Sequence, residues 1–247
     1  MKLNNNEIIF LYGTIKDGLY HSKIFSYIRR ASNLTNTPFI TVEGPIGVGK
    51  TTLAQAIANH LDFKLLKEIV DENPFLGKFY DDIEEWSFQT EMFFLCNRFK
   101  QLEDIQLKYI QEHKPVVADY HIFKNLIFAQ RTIKDAKFNK YKDIYSILTS
   151  DMPRPNMVIY LDASLDTLLD RIALRGREFE KNISHQYLKQ LSEDYAVFMN
   201  EFEAAHPDIP VLRFNGDEID FVLRKNHLDY ILTSVSHPLQ KGVRPSA

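Results

Sequence analysis

The sequence is short of cysteine, of glycine and of long apolar runs, and each shortage closes off a class of protein. Its single cysteine, Cys96, excludes an intramolecular disulfide and a cysteine-rich zinc site, and fits a reducing compartment, read here as the cytoplasm. No apolar run nears the roughly 20 residues that cross a bilayer, so no membrane role is expected. A formal charge of -3 lacks the basic excess of a non-specific nucleic-acid binder, and acidic substrates must be met by local basic clusters instead. The 247 residues suffice for one α/β domain with a sizeable core, or two small ones. Repeats and low-complexity tracts are absent.

The two ends read differently from the middle. "EIIFLYG" is too short and too poorly flanked for a signal peptide, and residues 1–37 are expected to form a weakly structured extension. The polar, proline-bearing stretch at 235–247 reads as a disordered tail. Between them, 38–234 is expected to fold as one domain.

Within that domain strand-like and helix-like segments alternate. "PFITVEG", "DFKLLKE", "PVVADY", "NMVIYLDAS" and "PVLRFNG" read as strands. "KTTLAQAIANHL", the stretch from about Ile83 to His113, "LDTLLDRIALR" and "EIDFVLRKNHLDYIL" carry helical spacing. Such a rhythm predicts a parallel sheet of about five strands with helices on both faces, and ligands at the carboxyl ends of the strands.

Gly44–Pro45–Ile46–Gly47–Val48–Gly49–Lys50–Thr51 matches G-x-x-x-x-G-K-[ST] in full, between a predicted strand and a predicted helix. Successive N–H groups form an anion nest, the helix start adds partial positive charge, and Lys50 adds a full one. The Thr51 hydroxyl is placed to ligate Mg²⁺, and Thr52 completes the candidate ATP-binding segment. The fold class implied is a P-loop NTPase. A triphosphate site alone leaves open whether the phosphoryl group goes to water, a protein or a small molecule.

"KEIVDENPFLGKFYDDIEEWSFQTEMFFLCNRF", "ADYH" and "DRIALRGREFE", together with the loop, resemble the deoxynucleoside kinases, particularly the bacterial deoxyguanosine kinase branch, over roughly 38–232. The resemblance implies ATP- and Mg²⁺-dependent transfer to the 5′-hydroxyl of deoxyguanosine, and a homodimer. It assigns Glu68, just after the second strand, as the carboxylate that takes the hydroxyl proton, the positioning chemistry that phosphoryl transfer needs. Tyr80 matches the tyrosine that contacts the sugar 3′-hydroxyl, and Asn125 joins the substrate-binding set. Asp119 matches an acidic metal-binding residue, with Asp162 as a competitor on spacing. Tyr120 departs from the family's commoner pattern, in which an arginine stands there. Either another cation supplies that charge or the step relies more on the lid.

The base-reading position falls on Glu91 rather than Gln89 when "FLCNRF" is aligned without gaps from Tyr80. Glu91 and Arg98 are seven apart, on one helix face, about 10 Å along the axis. Guanine offers N1–H and N2–H₂ to a carboxylate and O6 and N7 to a guanidinium. The lid resemblance places Arg171, Arg175 and Arg177 around the γ-phosphoryl group as catalytic cations with Lys50, and Glu180 at the 3′-hydroxyl.

Three other readings were weighed. A deoxyadenosine or deoxycytidine kinase would follow if Gln89 faced the base. A nucleoside monophosphate kinase needs extra cations for an acceptor phosphate, which Glu68 would repel. A GTPase-type switch lacks an Asn-Lys-x-Asp-like run at a strand end.

Overall fold

The computed structural model describes residues 37–70 and 72–240. The extension expected at 1–37, apart from its last residue, and positions 241–247 of the expected tail lie outside the described residues. Strand β1 (Phe39–Glu43) leads through the glycine loop into α1 (Lys50–Leu61) and β2 (Lys64–Leu66). Helices α2 (Leu76–Asp81) and α3 (Ile83–Ile105) follow, and α3 relaxes into a π-type turn at Gln106–Ile110. After β3 (Val116–Ala118) come α4 (Lys124–Thr132), α5 (Asp135–Thr149) and β4 (Met157–Asp162). Helix α6 (Leu165–Arg175), a 3₁₀ turn (Glu178–Glu180), α7 (His185–Ala205), β5 (Val211–Asn215) and α8 (Lys225–Gln240) complete the chain.

The five strands form one parallel sheet in the order β2-β3-β1-β4-β5, as the alternating pattern predicts. Every residue of β1 and β3 is buried, as are the first five of β4. Strands covered on both faces read as continuous apolar runs rather than alternating ones, which is why "VVA" and "MVIYL" look the way they do. Helix α1 buries Leu53, Ala54, Ile57 and Ala58 along one stripe. Each fully buried leucine or isoleucine of this kind contributes roughly 1.5–3 kcal/mol.

Helix α3 supplies one wall of the cleft. Asp82 caps it by accepting from the Glu85 N–H at 3.1 Å, and Glu84 and Glu85 complement its positive end. Its 23 residues span about 34 Å. The face it turns inward carries Glu91 and Arg98 among Phe94, Leu95, Leu102 and Ile105, whereas Gln89 is exposed.

Two boundaries and several helices differ from the sequence reading. The closing helix begins at Lys225 rather than near Glu218, because the Asp220 carboxylate takes the N–H groups of Val222 and Leu223 into a turn. It then runs to Gln240 and buries Val235, so positions 235–240 of the expected tail are helical. The alternation pattern also assigns no element to α4, α5 or α7, of which α7 buries Tyr187, Leu188, Leu191, Tyr195 and Met199.

Gly44 occupies a backbone state (φ 145°) that side chains rarely adopt, and a Cβ there would stand 2.1 Å from the Leu161 carbonyl oxygen. Gly44→Ala therefore forces the loop away from β4. Chemical denaturation should show a loss of at least about 2 kcal/mol, and an unchanged midpoint would contradict this packing.

Candidate active site

The carboxyl ends of β1, β2 and β3 converge, and each delivers one part of the site. After β1, the loop enters α1 through Gly49, whose φ of 104° turns the chain so that the helix's first N–H groups face the loop interior. The Lys50 ammonium donates to the carbonyl oxygens of Gly44 and Pro45, both at 2.8 Å. Burial and the neighbouring Lys124 ammonium lower its pKa, against the attraction of Glu43, Glu68 and Asp119. Such an ammonium, desolvated and beside another cation, is a ready partner for phosphate oxygens.

At the end of β3, Asp119 ties two segments together. Its Oδ2 accepts from the Thr51 hydroxyl at 2.5 Å and its Oδ1 from the Glu68 backbone N–H at 2.7 Å. Burial raises its pKa, partly opposed by the Thr51 hydroxyl. Asp162, the competitor, is exposed at the end of β4, whereas Asp119 is buried and bonded to Thr51. A hydroxyl and a carboxylate meeting beside a phosphate loop are hard oxygen donors. They fit Mg²⁺, which keeps several waters and takes its remaining ligands from phosphate. Among the described residues there is no cluster of His, Cys, Asp and Glu that would hold a metal by itself.

Glu68, after β2, is nearly buried, with 10% of its side chain exposed. Its Oε1 accepts from Arg98, through Nε at 3.1 Å and through Nη2. Its Oε2 accepts from Lys124 Nζ at 2.7 Å. Burial alone would raise this carboxyl, but Lys124 and then Arg98 outweigh it and hold it well below the usual carboxylate range. The group is an oriented anion.

Beside it lies a pocket of unmatched polar atoms. Glu91 and Arg98 are 1% and 3% exposed, yet Glu91 Oε2 and Arg98 Nη1 have no hydrogen-bond partner. Burial raises the Glu91 carboxyl to about 7, although Arg98 and Lys124 pull the other way. Fully buried Asn125 donates to the Tyr141 hydroxyl at 2.8 Å, which in turn meets the Glu91 backbone oxygen at 3.4 Å, and Asn125 Oδ1 is also unmatched. Tyr80 packs edge-on against Phe79 and Tyr187, with centroids 5.1 and 6.3 Å away, and feels Glu180 and Glu91. Native proteins rarely leave buried polar atoms unpaired, so this concentration makes the cluster a candidate site for a polar ligand.

The arginines after β4 divide. Arg175 grips Glu180 with Nε at 3.0 Å and Nη2 at 2.6 and 2.7 Å, and Arg177 lies 3.6 Å from the same carboxylate. Glu180 is 5% exposed and acts on Tyr80, so this group lies near that tyrosine. Arg171, expected at the γ-phosphoryl group, instead donates to the Val48 and Gly216 carbonyls at 3.0 and 2.9 Å. It braces the loop from outside.

Two residues escape the sequence reading. Lys124 sits in "IFKNLIF", where a lone lysine looks like the wet side of a helix; the signal was its place five residues after Asp119. Glu43 ends β1 and is fully buried, accepting from the His121 N–H at 2.5 Å and from Tyr195 OH at 3.4 Å. Burial raises it to about 7. Tyr120 brings no positive charge: its hydroxyl donates to Gln101, and the Arg98 guanidinium lies 5.7 Å from its ring centre.

Comparison with known proteins agrees with this geometry. The family model described as deoxynucleoside kinase matches residues 40–240. A deoxyguanosine kinase of Bacillus subtilis (strain 168) is 52% identical over 202 residues, covering 82% of this chain and 98% of that one. A deoxyadenosine/deoxycytidine kinase of the same organism is 33% identical, covering 85% and 98%. A structure of deoxyadenosine kinase from M. mycoides with bound dATP superposes with a TM-score of 0.69 at 26% identity, covering 81% of this chain and 99% of that one.

The raised carboxyls make stability depend on pH. A carboxyl whose folded value is raised holds its proton more tightly folded than unfolded, so stability falls as pH climbs from 4.5 to about 7. Unfolding free energies of the ligand-free protein should fall between about pH 5 and about pH 7.5. Glu91→Gln should remove part of that fall, on the order of 2–3 kcal/mol. Equal slopes in the two proteins would contradict the raised Glu91.

Proposed function

We propose, because the chain belongs to the deoxynucleoside kinase family, that it transfers the γ-phosphoryl group of ATP to the 5′-hydroxyl of deoxyguanosine, giving dGMP. The observation that carries the choice of base is the unmatched pair, Glu91 Oε2 and Arg98 Nη1, on the buried face of α3. A carboxylate meets the N1–H and N2–H₂ of guanine, and a free guanidinium N–H meets O6 or N7. Adenine would set its unprotonated N1 against the carboxylate and strand both charges. The deoxyadenosine/deoxycytidine alternative needs Gln89 at the base, and that side chain is exposed.

In this reading Glu68 orients the acceptor hydroxyl and takes its proton, while Tyr80 and Glu180 meet the 3′-hydroxyl. The loop from Gly44 to Thr52 holds the triphosphate, and Lys50 lies along its outer phosphates. Arg175 and Arg177, now paired with Glu180, exchange that partner for phosphate oxygens when the lid region closes. Mg²⁺, held by Thr51 and Asp119, supplies charge neutralisation on the phosphates when bound. The enzyme works in the cytoplasm as a homodimer, a reading supported by its single exposed thiol and by apolar side chains such as Leu107 and Ile147 at the surface.

Exchange of one atom in the pocket tests the base assignment. Glu91→Gln offers a donor and an acceptor, which suit adenine N1 and N6, while guanine loses an acceptor. The kcat/KM preference for deoxyguanosine over deoxyadenosine should drop by about ten- to two-hundred-fold, roughly 1–3 kcal/mol. Gln89→Glu should leave the ratio within about threefold, because it lies off that helix face. If Gln89→Glu moves the ratio and Glu91→Gln does not, the assignment fails.

A further inference from the structure

Glu68 has a cation on each oxygen. Arg98 alone satisfies Oε1 with two N–H groups, and Lys124 takes Oε2. Burying a second cation beside a carboxylate that already has a two-pronged partner is costly in desolvation, and an apolar residue would stabilise the fold at least as well. The structure nevertheless invests in placing it. Lys124 opens α4 immediately after the turn from β3, is 6% exposed, and has its ammonium 5.4 Å from the Phe128 ring centre. Its charge also acts on Lys50 and on Glu43. Among the described residues its ammonium makes one hydrogen bond, to Glu68, and an ammonium has three donors. Tyr120, the buried side chain next to Asp119, brings no charge and spends its hydroxyl on Gln101.

We propose that Lys124 is the positioning residue of the phosphoryl transfer: from α4 it fixes the Glu68 carboxylate against the acceptor hydroxyl, an ionic hold that Tyr120 cannot provide. The inference rests on the reading of Glu68 as the proton acceptor. During transfer the bond from the γ-phosphorus to the β–γ bridging oxygen breaks, and its electron pair leaves on the diphosphate. The bond from the acceptor 5′-oxygen to phosphorus forms, and the hydroxyl proton passes to Glu68. With one donor Lys124 holds Oε2, so the carboxylate cannot rotate toward Arg98.

Steady-state kinetics on the full chain with ATP, Mg²⁺ and deoxyguanosine tests the proposal, using Lys124→Gln, Lys124→Arg, Glu68→Gln and the Glu68→Gln/Lys124→Gln pair. Lys124→Gln should lower kcat by about 10²-fold or more while both KM values stay within about threefold. Lys124→Arg should recover at least about tenfold of that loss. Because Lys124 acts through Glu68, the double variant should be no more than about threefold slower than Glu68→Gln alone. Should Lys124→Gln unfold, the charge-balanced double variant and Lys124→Arg carry the comparison. Near-normal kcat in Lys124→Gln beside a slow Glu68→Gln overturns the role of Lys124 and leaves the base reading standing. Losses that multiply in the double variant overturn it as well. A fast Glu68→Gln overturns the base reading itself.

Discussion

On the function proposed here, the Arg98 guanidinium couples the two tasks of the cleft. Two of its nitrogens lock one oxygen of Glu68, and the third has no partner beside the equally unmatched Glu91. A planar fork cannot turn toward one neighbour without leaving the other, so the orientation that serves the reacting carboxylate also fixes the donor presented to a base. The rings of Phe94 and Tyr120 lie against the same group, with centres 4.7 and 5.7 Å away, and help to hold it in that orientation. On that proposal, recognition and chemistry share one rigid element. A base that fails to meet the free nitrogen would leave a buried charge unpaired next to the group that must react.

The sheet supplies the precision this sharing requires. Strands β1 and β3 are adjacent and in register, Thr41 opposite Ala118, so the glycine loop and Asp119 leave the sheet side by side. Strand β2 pairs with β3, Leu66 opposite Ala118, and delivers Glu68 within reach of the Asp119 carboxylate. Helices α3 and α4 then bring Arg98 to one oxygen of the Glu68 carboxylate and Lys124 to the other. The energetic cost falls on the pocket: Glu43 and Glu91 are both raised to about 7 by burial. Sites of this kind trade stability for preorganisation.

The phosphate loop was legible because its function lies in eight contiguous residues with a fixed local geometry. Glu91 was legible because a helix converts a two-residue difference into opposite faces, which separated it from Gln89. Contacts made across the fold were not. Nothing near Arg171 announces the Val48 and Gly216 carbonyls, which lie 123 and 45 residues away. Lys124 resembles any lysine on an amphipathic helix until β2 and β3 place Glu68 against it. The late start of α8 depends on a single side chain, Asp220, competing for backbone N–H groups, a local contest that periodicity does not register.

The account stands on guanine being the base that meets both unmatched atoms. Removing only the 2-amino group from the substrate isolates one of those contacts. With the wild-type enzyme, kcat/KM should fall in the order deoxyguanosine, deoxyinosine, deoxyadenosine. Deoxyinosine should be weaker by about ten- to a hundred-fold for the lost N2–H₂, and deoxyadenosine weaker again for the reversed N1. Equal use of deoxyguanosine and deoxyinosine, or a preference for deoxyadenosine, would contradict it.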